Sequence, residues 1–144
     1  MLRAFPMILI AVLAYNAVTF VSGAAGQHDI NAVLGQNFSI PMFSGDKWKI
    51  TAGDMLMALA LVLLFVETIK ATRTNHREIV NHALSILTFM GALVEFIVLK
   101  GFGTSTFFFI VGMCLFDVVA GYTITIITAK RDVSVAPHDH GNDY

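Results

Sequence analysis

The sequence predicts an all-α membrane protein of four transmembrane helices with a short β-hairpin in the first outer loop, and three observations carry that expectation. The 144-residue chain is 56% hydrophobic and only 13% charged, where soluble domains run at about 25% charged. Its apolar residues gather into runs of the roughly 20 residues that a helix needs to cross a bilayer with every backbone polar group satisfied inside the segment. Between the runs stand polar stretches that carry helix-capping and turn residues.

The first run spans about residues 4–23. Met1-Leu2-Arg3, the apolar stretch and Ser22-Gly23-Ala24-Ala25 also fit a secretory signal with a small-residue cleavage site. Asn16 and the length of the apolar part favour a retained helix, and either reading puts residues 24–51 outside. In that loop, Phe38–Phe43 and Lys47–Thr51 flank Ser44-Gly45-Asp46, which reads as a hairpin. Pro41 confines its strand to an edge. Trp48 and Ile50 fall on one face and Lys47 and Lys49 on the other, which suits a ribbon lying on a membrane surface; the alternative is an irregular loop with an interfacial Trp.

The second run covers 52–70 and the third 79–99. Thr51 with Asp54, and Asn75 with Glu78, place a capping side chain three residues before a carboxylate at the start of each. Gly101 and Gly103 bracket a short turn into the fourth run, 104–129, making the last two spans an antiparallel hairpin that packs directly together. Residues 132–144, with Pro137, two histidines and no apolar period, read as a disordered tail. Its His138-Asp139-His140 triplet lacks the supporting shell of a metal site.

Charge sets orientation and excludes partners. Arg3, Lys70, Arg73, Arg77, Lys130 and Arg131 fall on one side against Lys47, Lys49 and Lys100 on the other, which predicts both termini in the cytoplasm. A net charge of −1 without a basic cluster argues against a nucleic-acid partner. Cys114, the one cysteine, lies in an apolar run and reads as a packing residue.

The polar residues inside the spans are the candidates for function. In the third span Asn81, Ser85, Thr88 and Glu95 recur at helical spacing, and in the fourth Asp117, Gly121, Thr125 and Thr128 do the same. Each helix therefore carries one polar stripe. A carboxylate facing lipid costs roughly 3 kcal/mol or more, so the stripes are expected to face protein. At about 1.5 Å per residue from the hairpin turn, Glu95 lies about 8 Å deep and Asp117 about 20 Å deep, too far apart to pair. Asp117 is level with Ser85 and Thr88, whose hydroxyls suit a neutral carboxyl. Glu95 is expected to meet Lys100 or water near the outer surface, and Glu67 to snorkel to the inner surface beside Lys70.

These features support two functional expectations. In the first, the chain acts by assembly, as a homo-oligomer or as an accessory subunit of a larger membrane complex, with Asp117 as a hydrogen-bonding clamp. Its grounds are small size, an acidic stripe in need of burial, and Ala11, Ala14 and Ala17 with Asn16 on a first helix able to approach a neighbour closely. In the second, the chain is a proton- or cation-coupled transporter or channel subunit using Asp117, with Glu95 as outer relay and His82 near the inner end. No nucleophile elbow, HExxH, phosphate loop or dinucleotide fingerprint occurs, so no enzyme is predicted. No cofactor is implied, since His82 is the one histidine within a span and a two-histidine haem needs another.

Overall fold

Among the described residues the chain forms five helices and one two-stranded sheet, in the order α1 (Ile8–Ala24), α2 (Ile30–Leu34), β1 (Asn37–Pro41), β2 (Lys47–Thr51), α3 (Ala52–Ala71), α4 (Glu78–Val98) and α5 (Ser105–Ser134), of which the short α2 is not among the elements the sequence predicts. The computed structural model describes residues 5–24, 29–71 and 78–134. Among the described residues three stretches are long and apolar enough to cross a membrane: Ala52–Ala71, Val80–Val98 and Ser105–Ile124. At 17 residues α1 is shorter. The fold is thus mostly helical, with the expected hairpin present as a small antiparallel sheet.

Local chemistry sets the element boundaries. Pro6, fully buried, opens α1, its carbonyl accepting from the Leu9 N–H. Asp29 caps the short α2 by accepting from the Asn31 N–H at 2.9 Å. The capping box at the start of α3 forms as read: Thr51 Oγ1 accepts from Asp54 N–H at 3.0 Å, and an Asp54 carboxylate oxygen accepts from Thr51 N–H at 2.9 Å. Asn75, the capping residue of the second box, lies outside the described residues, as do Arg3, Arg73 and Arg77. Helix α5 continues to Ser134, past the start of the stretch read as a tail, and residues 135–144 lie outside the description.

In the sheet, Phe38 pairs with Ile50 and Ile40 with Trp48, so these four side chains share one face. Ser39, Lys49, Pro41 and Lys47 occupy the other. The turn closes through Met42 and Asp46, with Gly45 at φ +91°, a conformation that favours glycine.

Helices α3, α4 and α5 form one packed unit in which α5 lies against both others, while α1 lies mainly along α3. Gly53 lets the starts of α3 and α5 approach closely, since a Cβ there would come within 2.6 Å of Thr106 Oγ1. The core holds Ile8, Ala11, Tyr15, Ala60, Phe107, Ile110 and Cys114. The outward faces of α3 to α5 carry Leu61, Phe65, Leu87, Ile97 and Phe116, all exposed, in the manner of helices whose outer solvent is hydrocarbon.

Candidate functional site

Near the end of the bundle away from the sheet, three helices turn polar residues inward. Helix α3 contributes Glu67 and Ala71, α4 contributes Asn81, His82 and Ser85, and α5 contributes Asp117 and Gly121. Glu67 and Ala71, Asn81 and Ser85, and Asp117 and Gly121 each stand one turn apart, with His82 beside Asn81, so each helix presents one inward face. They line a cavity of about 30 Å³, room for about two water molecules.

Gly121 makes space for the His82 ring: a Cβ there would lie 3.0 Å from His82 Nδ1. Tyr122 stacks on the same ring with centroids 6.0 Å apart.

Glu67 is the most heavily bonded side chain of the cluster. It is 1% exposed, and its Oε2 accepts from the Met7 N–H at 2.8 Å and from Lys70 Nζ at 3.1 Å, while its Oε1 accepts from Asn81 Nδ2 at 2.6 Å. Lys70 also donates to the Phe5 carbonyl at 2.9 Å. A carboxylate thus ties the amino end of α1 to α3 and α4. The expectation that Glu67 snorkels to the inner surface is corrected: its pairing with Lys70 holds, but the carboxylate stays buried because the Met7 N–H and the Asn81 amide offer donors there.

Asp117 differs. It is 6% exposed, Ser85 is the side chain placed to hydrogen-bond to it, and Glu67, His82 and Lys70 are its titratable neighbours. Among the described residues two buried side-chain atoms lack a hydrogen-bond partner, Asp117 Oδ2 and Asn81 Oδ1. Both belong to residues on the cavity wall. Both are acceptors, so neither can satisfy the other.

Of the residues singled out from sequence, Asn81, His82 and Ser85 of α4 come together here with Asp117 and Gly121 of α5. Thr88 is buried, but its hydroxyl donates to the Leu84 carbonyl of its own helix at 2.8 Å and does not line the cavity. Glu95 belongs to the other end of α4, where Asn16 of α1 donates to it at 3.0 Å. Among the described residues, Glu95 makes this interhelical bond and not the expected ion pair with Lys100, because Asn16 of α1 stands beside the half-buried carboxylate. Sequence reasoning missed Glu67 as a member of the site. Its signal was its register with Ala60 and Leu64, both buried on the same face of α3.

No group of three or more metal-ligating side chains occurs among the described residues. The arrangement suits protons and hydrogen-bond donors: one carboxylate matched by an ammonium, a second without a cationic hydrogen-bond partner, and a small polar space between them. Comparison with known proteins gives no match: no family model, curated protein or solved structure is similar to this chain.

Proposed function

We propose that the chain is a multi-pass integral membrane protein of four helices, α1 included, that serves as a proton-coupled transporter or channel subunit with Asp117 as its proton-carrying group. The observation that carries this reading is the buried Asp117 Oδ2, without a partner among the described residues, on the wall of a polar cavity. Ionisable groups kept in such a setting mark ion paths in membrane proteins. The grounds for assembly weigh less, because Ala11 is buried within the chain, Asn16 bonds to Glu95, and Glu67 and Asp117 find burial without a second copy.

In this reading both termini are cytoplasmic, the partners are the lipid bilayer and other membrane subunits, and no chemistry is catalysed. Vesicles containing the full chain and a trapped pH dye should dissipate an imposed pH gradient faster than empty vesicles, and Asp117→Asn should restore the empty-vesicle rate. An Asn variant as fast as the parent would refute the proton-carrying role. A second reading, assembly as a homo-oligomer or accessory subunit, is favoured by Gly91 and Gly112, which lie exposed on α4 and α5 with open space around them.

Orientation has its own test. A membrane-impermeant thiol reagent applied from the extracytoplasmic side should label Ser44→Cys and spare Asn75→Cys, and the opposite pattern would invert the topology.

A further inference from the structure

The two unpartnered acceptors and the heavily bonded Glu67 belong to one hydrogen-bond problem. Asn81 Nδ2 is committed to Glu67 Oε1 at 2.6 Å, which leaves Asn81 Oδ1 in need of a donor. Asp117 Oδ2 also lacks a partner, and both residues wall the same cavity of about 30 Å³. A buried acceptor left unpaired costs about 1–3 kcal/mol. One proton on Asp117 changes the count, because it converts one acceptor into a donor for the other.

We infer that Asp117 and Glu67 hold one proton between them and that Asn81 bridges them. Its amide nitrogen donates to the Glu67 carboxylate, and its oxygen accepts from the protonated Asp117 carboxyl, directly or across one cavity water. This deepens the proton-carrying role proposed above and rests on it. The bridge has a second state of equal charge. When the proton leaves Asp117 through the cavity and returns on Glu67, the Asn81 amide turns end for end, donating to the Asp117 carboxylate and accepting from the Glu67 carboxyl. No covalent bond other than the two O–H bonds changes.

The two states differ in what they do to α1. Ionised Glu67 holds the Met7 N–H at 2.8 Å and Lys70 at 3.1 Å. Neutral Glu67 weakens both, since charge-assisted hydrogen bonds are roughly twice as strong as neutral ones. The proton's position is therefore felt at the amino end of α1. The charged and titratable groups that face the pair are Lys70 from α3, His82 from α4 and the Cys114 thiol from α5, and the segment leading into α1 offers the Met7 N–H and the Phe5 carbonyl.

Infrared difference spectroscopy on the full chain in lipid nanodiscs tests the inference, with ¹³C-labelled aspartate and, separately, ¹³C-labelled glutamate. In the unaltered protein a protonated-carboxyl stretch should shift with the aspartate label, and glutamate bands should change in the same pH step. Glu67→Gln and Asn81→Leu should each move the pH of that step by about one unit or more, as expected for coupled sites. A protonated aspartate band whose step leaves the glutamate bands unchanged and is unmoved in both variants would overturn the sharing while leaving Asp117 as a proton carrier. Absence of any protonated aspartate band that Asp117→Asn removes would overturn both.

Discussion

The two ends of the helix bundle treat their polar groups in opposite ways. At the end beside the sheet, the Tyr15 hydroxyl reaches the Gly101 carbonyl at 2.8 Å and Thr104 Oγ1 at 2.7 Å, while Asn16 donates to Glu95. Thr104 in turn caps α5 through the Phe107 N–H at 3.2 Å, and the Tyr15 ring packs against Phe102 and Phe107. This polar cluster is closed. At the other end Glu67 is fully bonded, but Asp117 and Asn81 face a cavity with an unmet acceptor each. The difference teaches that this fold can close a buried polar cluster completely at one end while leaving two buried acceptors open at the other, and the proposed proton-carrying role rests on that opening.

Substitutions at the two ends should separate these roles. The largest effect is expected at Glu67. Replacing it by Leu leaves the Met7 N–H and the Asn81 amide without their acceptor and Lys70 without its counter-ion. Loss of one partner of a buried pair costs about 3–5 kcal/mol, and Lys70, at 24% exposure, can turn to water and hold the loss near about 3. Unfolding in mixed micelles measures it, and a loss below about 1 kcal/mol would mean that α1 is held by apolar packing alone. A smaller effect is expected at the closed end. Tyr15→Phe keeps the ring contacts but strips the turn of its hydroxyl, for about 1–2 kcal/mol by the same measurement. The smallest is expected at Asp117, where Asn keeps the shape and the hydrogen-bonding capacity, so stability should move by less than about 0.5 kcal/mol.

How much of this was legible in the sequence follows the range of the interactions. The spans of α3, α4 and α5 are written in local hydropathy, and the hairpin in the alternation of Lys47-Trp48-Lys49-Ile50 around a glycine turn. Asp117, Ser85 and His82 were found because helical spacing puts polar residues of one helix on one face, and adjacent antiparallel helices bring equal depths together. Glu67 and Glu95 were misjudged for a common reason. Their partners, the Met7 N–H just before α1 and Asn16 within it, are far away in the chain, and no local pattern shows that α1 lies against α3 and α4. Tyr15 escaped notice because an aromatic residue in an apolar run carries no sign that its hydroxyl will find a carbonyl 86 residues away.

The most direct test of the contrast between the ends is the rate at which an imposed pH gradient decays in vesicles containing the parent chain, Asp117→Asn or Tyr15→Phe at matched protein content. The account predicts that Tyr15→Phe conducts like the parent despite its lower stability, while Asp117→Asn falls to the rate of empty vesicles despite unchanged stability. Decay that tracks stability, with Tyr15→Phe impaired and Asp117→Asn intact, would contradict it.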